Sequence, residues 1–198
     1  METRDLKLYL AATSARHSHL CPRQVLGIRL ALAGTNALGL VVPCFDKLLL
    51  TIVESDGCFS DGVCVVTGSS VGHRTLRVED YGKAAITLVN TLTGISIRVS
   101  PKIGVRQRAH LYAPGEERPY FAQLYGYQVM PDAELVNIQP VELYPDVNTL
   151  ISQPGMRAVC EICGEEIING RQVIQDGQVL CRACTGLAYY HDLEPTTR

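Results

Sequence analysis

Apolar positions recur at helical spacing in two early stretches, then give way to runs of the kind a sheet buries. Leu6, Tyr9, Leu10 and Thr13 share one face at a period of 3.6 residues, which predicts a helix over 5–16. Pro22 disfavours helix at Cys21 and suits the first position of a new one, so 17–21 reads as a non-helical joint. A second helix runs through Val25, Leu26, Arg29 and Leu32 to about Ala33, with Gly34 as its stop. The segment 47–54 contains Leu-Leu-Leu-Thr-Ile-Val and predicts a buried strand. Ser55-Asp56-Gly57 then caps a short helix over 58–66, and 67–72 is a loop. Strands follow at about 75–79, 84–90 and 95–99, the last two joined by a turn at 91–94. Residues 104–130 read as helical in two pieces broken near Pro114-Gly115, and 134–143 alternates as a strand. Helices grouped around an antiparallel sheet make an α+β core over 1–147. Residues 148–157, with Pro154-Gly155, read as a linker, and 158–198 as a small C-terminal module.

That module carries the plainest chemistry. Cys160-Glu-Ile-Cys163 and Cys181-Arg-Ala-Cys184 form two C-x2-C pairs separated by seventeen residues. Each pair sets two sulfurs on one knuckle, and four thiolates at this spacing predict a closed tetrahedral zinc site. Two disulfides or an iron–sulfur centre are the alternatives. Gly164 suits the turn after the first pair, and Asp176-Gly177 is a hairpin signal between short strands at 171–175 and 178–180. About 40 residues bury too little surface to fold alone. A structural zinc, worth roughly 10–16 kcal/mol, makes up the difference.

Composition narrows the classes. A chain of 198 residues, 46% hydrophobic and 19% charged, predicts one ordinary domain plus an appendage rather than disorder. Its net charge of −2 argues against a broad nucleic-acid footprint. The polar start, Met-Glu-Thr-Arg-Asp, shows no signal peptide, and no apolar run is long enough to span a bilayer. A cytoplasmic protein is expected, where eight cysteines favour metal ligands and reduced thiols over disulfides.

A second cluster is His17-Ser-His19-Leu-Cys21-Pro22. Alternate residues of an extended segment share a face, so both imidazoles and the thiol point one way. At about 3.3 Å per residue, His17 and Cys21 lie roughly 13 Å apart when extended, so one ion takes an adjacent pair and needs a ligand from elsewhere. Cys58, in Glu54-Ser-Asp56-Gly-Cys58-Phe-Ser-Asp61-Gly, is that candidate. Cys21 and Cys58 both stand at predicted helix starts, where the dipole and free N–H groups lower thiol pKa values. A second metal site or a reactive thiolate pair is one reading; small core cysteines beside surface histidines is the other. Cys44 and Cys64 sit in apolar runs and read as core. The loop Thr67-Gly68-Ser69-Ser70-Val71-Gly72-His73 fails as a phosphate loop, because its glycines are one residue too close and His73-Arg74 replaces Lys-Ser/Thr. It reads as an ordinary turn.

Taken together, four motifs resemble the FmdE family of formylmethanofuran dehydrogenase operons over about 10–145. They are His17-Ser-His19-Leu-Cys21-Pro22, Glu54-Ser-Asp56-Gly-Cys58-Phe-Ser-Asp61-Gly, Val66-Thr67-Gly68-Ser-Ser-Val-Gly72-His and Asp80-Tyr81-Gly82-Lys83. The chain departs from the family pattern at Ser18, Arg23, Ser69 and His73. Ser69 stands where the family has a cysteine, which disfavours a redox pair there. The resemblance implies an α+β core that dimerises. It also implies an operon neighbour of a molybdenum or tungsten enzyme of one-carbon metabolism, and a Cys/His site on His17, His19, Cys21 and Cys58. Asp56 and Asp61 are then candidates to hold or deprotonate water, and Tyr81 and Lys83 to meet a small anionic substrate. The tail resembles zinc fingers of the DksA/TraR type. A transcription-related regulator is therefore the rival to an enzyme or enzyme accessory. Arg157, Arg171 and Arg182 against Glu161, Glu165, Glu166 and Asp176 make that tail a poor nucleic-acid surface.

Overall fold

The computed structural model describes residues 3–17, 19–144, 146–151, 153–191 and 193, with side chains from Leu6 onward apart from that of His17. It divides into two compact units, Met1–Val147 and Asn148–Arg198. Among the described residues, no helix is long and apolar enough to cross a membrane.

The first unit is the expected mixture of helices and an antiparallel-rich sheet. Helix α1 (Thr3–His17) buries Leu6, Leu10 and Thr13. Cys21, extended at φ −123°, caps α2 (Pro22–Ala37), and Pro22 opens the helix where its missing N–H costs nothing. Gly34 does not end this helix as the sequence predicted. It lies within it, because a Cβ there would come 2.6 Å from Leu88 Cδ1 and 2.8 Å from Val99 Cγ2. The glycine therefore serves packing against the sheet rather than termination.

Strand β1 (Leu49–Val53) is buried at every position, as its continuous apolar run implied. Helix α3 (Cys58–Thr67) follows and ends on Gly68, which takes the left-handed conformation. The remaining strands are β2 (Leu76–Val78), β3 (Ile86–Asn90) and β4 (Ser96–Pro101). The region predicted helical over 104–130 breaks as expected. It gives α4 (Val105–Arg108), a 3-10 turn over Ala109–Tyr112, and α5 (Pro119–Val129). The last predicted strand is shorter than 134–143, because its start is taken by α6 (Asp132–Leu135); β5 covers Val136–Pro140.

The sheet order is β2-β1-β3-β4-β5, parallel between β1 and β2 and antiparallel elsewhere. Helix α2 lies across β3, β4 and β5 and packs against α3 and α5, while α1 packs on α3. Leu30, Leu49, Phe59, Ile86, Leu88, Val99 and Met130 belong to the one core these layers share. Arg29, only 3% exposed, donates to the carbonyls of Tyr127 (2.5 Å) and Met130 (2.7 Å) and to Asp132 Oδ1 (2.7 Å), tying α2 to the end of α5.

A helical turn, α7 (Val147–Leu150), starts at the last residue of the first unit and otherwise falls in the stretch read as linker. Two hairpins follow. The first, β6 (Arg157–Val159) with β7 (Glu166–Ile168), was not foreseen from sequence. The second, β8 (Val173–Gln175) with β9 (Gln178–Leu180), turns at Asp176-Gly177, both at positive φ as a tight hairpin demands.

Candidate metal centres

The hairpins of the second unit converge on the four tail cysteines. One ligand atom from each of Cys160, Cys163, Cys181 and Cys184 lies within 4.8 Å of all the others, the arrangement of a site that can hold a metal ion. Local hydrogen bonds make the knuckles. The Gly164 N–H donates to the Cys160 carbonyl (2.9 Å), and the Cys160 N–H to the Glu165 carbonyl (3.0 Å). Glu161 links the two hairpins: its N–H donates to Val179 O (2.9 Å) and its carboxylate accepts the Val179 N–H (3.0 Å). The Cys181 N–H donates to Cys160 Sγ (3.3 Å). Backbone donors at Cys163 and Cys181 draw the Cys160 thiol down to about 6, while hydrogen bonding to Cys181 and burial push Cys184 up to about 12. None of the eight cysteines forms a disulfide. Four thiolates leave no open position, so the chemistry of this donor set is structural.

In the first unit, α2 and α3 bring their starts together. Cys21 stands at the N-cap of α2, and its N–H donates to Gln24 Oε1 at 2.7 Å. Cys58 is the first residue of α3, after Gly57. The Cys58 thiol lies close enough to Cys21 for that neighbour to raise its pKa. The pKa expectation is corrected here. Burial, then the neighbouring Cys21, raise Cys58 above an ordinary thiol, and these effects outweigh the helix start. Among the described residues, no third His, Cys, Asp or Glu joins the pair at ligand spacing. His19 is exposed in the segment just before Cys21. The His17 side chain lies outside the described residues.

Asp56 is exposed, and Asp61 sits in the first turn of α3, close enough to Cys58 for its charge to act there. The Glu54 carbonyl accepts the N–H groups of both Tyr81 and Lys83, each at 3.0 Å, which fixes the 80–83 loop beside β1. Asp80 Oδ1 accepts the Gly82 N–H (2.9 Å), and the Lys83 ammonium lies 5.8 Å from the Tyr81 ring centre. Ser69 is buried, and its hydroxyl pairs with that of Thr51 at 2.9 Å, so this position serves the sheet. Cys44 donates to Asp46 Oδ1 (2.9 Å) and burial raises its pKa; burial also pushes Cys64 up to about 11.

Two features had no sequence signal. Tyr120, at the start of α5, is close enough to Cys21 and Cys58 that their charges raise its pKa, after burial. Glu54 and Arg98 form a two-pronged ion pair at 2.5 and 2.7 Å, with the Glu54 side chain 9% and Arg98 29% exposed. Both depend on residues brought together across the fold. Among the described residues, a cleft of about 740 Å³ is bordered by Lys102, Ile103, Arg108, Glu134 and Asn137 and holds none of the residues marked from sequence.

This fold has counterparts among known proteins. A crystal structure of a tungsten formylmethanofuran dehydrogenase FmdE-like protein from Syntrophus aciditrophicus superposes with a TM-score of 0.56 and 22% identity, covering 94% of this chain and 95% of that one. That likeness is one of fold. A "Probable S-adenosyl-L-methionine-binding protein" of Archaeoglobus fulgidus is 28% identical over 200 residues, which cover 88% of this chain and 51% of the relative. The chain thus spans about half the length of the curated relative it matches. The model of the family described as "FmdE, Molybdenum formylmethanofuran dehydrogenase operon" matches residues 16–132, more than half the chain. By that match over more than half its length, the chain belongs to the FmdE family.

Proposed function

We propose that the protein is a zinc-binding enzyme, or the accessory of one, whose core carries a second metal or reactive-thiol site on Cys21 and Cys58. The observation that supports this reading is the meeting of those two thiols at the starts of α2 and α3. His19 and His17, on the segment that leads into Cys21, supply the remaining ligands. Asp56 and Asp61 flank Cys58 in sequence and orient or deprotonate a water. Tyr81 and Lys83, held on the Glu54 carbonyl, meet a small anionic substrate. A zinc bound there with an open position supplies Lewis acidity and a more acidic water. In the tail, a structural zinc on Cys160, Cys163, Cys181 and Cys184 holds a finger of the DksA/TraR kind, used as an appendage. The protein acts in the cytoplasm as a homodimer, beside a molybdenum or tungsten enzyme of one-carbon metabolism. The test is metal analysis of anaerobically purified protein: more than one zinc per chain in wild type, and a lower count in Cys21→Ser with the tail zinc kept. A count unchanged by Cys21→Ser removes the core metal site.

A second reading draws on the Archaeoglobus relative, whose name gives it S-adenosyl-L-methionine. The 740 Å³ cleft has the volume of a cofactor site. Equilibrium dialysis with labelled S-adenosyl-L-methionine decides it: without saturable binding the reading fails. The regulator reading is the weaker rival, because acidic residues outnumber arginines around the tail cysteines.

A further inference from the structure

Beyond the end of β4, two cations converge on the short helix α6. Lys102 Nζ donates to the Ala133 carbonyl (2.6 Å), and Arg108 Nη2 donates to the carbonyl of the next residue, Glu134 (3.0 Å). Arg108 Nη1 donates to the Ile103 carbonyl (2.9 Å). Gly104, at φ 76°, turns the chain so that Arg108 folds back over it. Consecutive carbonyls therefore bring an ammonium and a guanidinium side by side. Among the described residues, neither cation forms an ion pair with a carboxylate. Carbonyl dipoles satisfy some of their hydrogen bonds but leave two like charges together, an arrangement that an anion relieves.

We infer that the cleft of about 740 Å³ bordered by these residues binds a small organic anion, its carboxylate or phosphate held between Lys102 and Arg108 and its apolar body laid on Ile103. An ammonium has three N–H bonds and a guanidinium five. One of the former and two of the latter are taken by carbonyls. Arg108 Nε is buried, so the ligand meets the terminal nitrogens, whose flat fork matches an acid group with two oxygens. Ser100 and Asn137, opposite each other on β4 and β5, bring a hydroxyl and a carboxamide to the same cleft. Glu134 is the carboxylate on its border, and it accepts the Tyr112 hydroxyl at 2.6 Å. Two cations against that one anion leave a positive charge in excess.

The body of the ligand follows from the apolar border. Ile103 is 97% exposed and shares the cleft with Pro101 and Ala133. An inorganic ion leaves that surface in water, whereas an organic body covers it. The volume suits a molecule of metabolite size. This inference concerns the cleft of the second reading above, yet it rests on these residues and not on the cofactor of the Archaeoglobus relative.

The test is calorimetric titration of the full chain at low salt with benzoate and with phenyl phosphate, beside inorganic phosphate and benzyl alcohol. At least one organic anion should saturate at one per chain and bind more tightly than inorganic phosphate, and benzyl alcohol should not bind. The tighter of the two organic anions identifies the acid group that the site takes. Lys102→Glu should raise its Kd at least about tenfold, the effect of losing a charge-assisted hydrogen bond, while Lys102→Arg should retain binding. Ile103→Ser should weaken the organic anion and leave inorganic phosphate unchanged. Both side chains are exposed, so the variants should fold, as thermal melts would confirm. No saturable binding of either organic anion, or binding that Lys102→Glu leaves unchanged, overturns the inference. Dialysis of the same proteins with S-adenosyl-L-methionine separates the two readings. If Lys102→Glu loses the organic anion but keeps S-adenosyl-L-methionine, the inference stands and the second reading leaves this cleft. If wild type and Lys102→Glu hold S-adenosyl-L-methionine equally and neither organic anion binds, the inference falls and the second reading survives.

Discussion

Gly27 on α2 and Gly62 on α3 are reciprocal contacts: each lies where a Cβ would run into a backbone carbonyl of the other helix, Phe59 for the first and Gln24 for the second. Backbone cannot rotate away as a flexible side chain can. The crossing distance of α2 and α3 is therefore set by the absence of two side chains.

Gly27→Ala should destabilise the first unit by about 1–3 kcal/mol, the usual cost of forcing a methyl into packed backbone. A denaturant titration measures it. Wild-type stability would show that the helices slide freely and that the glycines are incidental.

Glu54→Gln should cost about 3 kcal/mol, since it leaves the Arg98 guanidinium facing a neutral amide in a largely buried site. The double replacement Glu54→Leu, Arg98→Leu should recover most of that loss, as apolar isosteres of buried pairs often do. Chemical unfolding of the single and double variants gives the comparison. A double variant no better than the single one would mean that the pair contributes more than its own desolvation cost.

Cys163→Ser should release one metal ion per chain and loosen the second unit, because three thiolates leave the tetrahedron incomplete. The first unit should keep its unfolding transition. Metal analysis with hydrogen exchange reads both effects. Full metal content in the variant would refute the tail assignment.

Metal affinity of the tail should climb with pH, because binding displaces thiol protons. In the metal-free cluster Cys184 is pushed up to about 12 and remains protonated across the physiological range, whereas Cys160, drawn down to about 6, is already a thiolate above that pH. The proton released from Cys160 should therefore vanish from the pH slope above about 6, while that from Cys184 persists. Titrations with a competing chelator at graded pH measure this slope.

Alkylation should rank the core thiols. A thiol at about 11, as for Cys64, keeps roughly one part in ten thousand as thiolate at pH 7. Its rate should rise about tenfold per pH unit up to that value. Cys64 should be the slow residue at neutral pH because burial holds it so far up, as time-resolved peptide mapping would show. A Cys64 modified first would mean that α3 opens in solution.

Residue order alone determined most of the local structure. The continuous run at 47–54 marked β1, Pro22 marked the start of α2, and the two C-x2-C pairs marked the tail cluster, because each signal lies within a few neighbouring residues. Gly34 misled for the same reason: read locally it ends a helix, whereas Leu88 and Val99 on two strands explain it. The candidate core site was half visible. Cys21 and Cys58 were singled out by position, but the pKa direction of Cys58 was not, since burial and a neighbouring sulfur depend on the packing around it. Tyr120 beside that pair, the Glu54–Arg98 bond and the Gly27–Gly62 crossing were decided only by tertiary structure. Each joins residues distant in the chain, and the free energy of such a contact depends on geometry that no local spacing encodes.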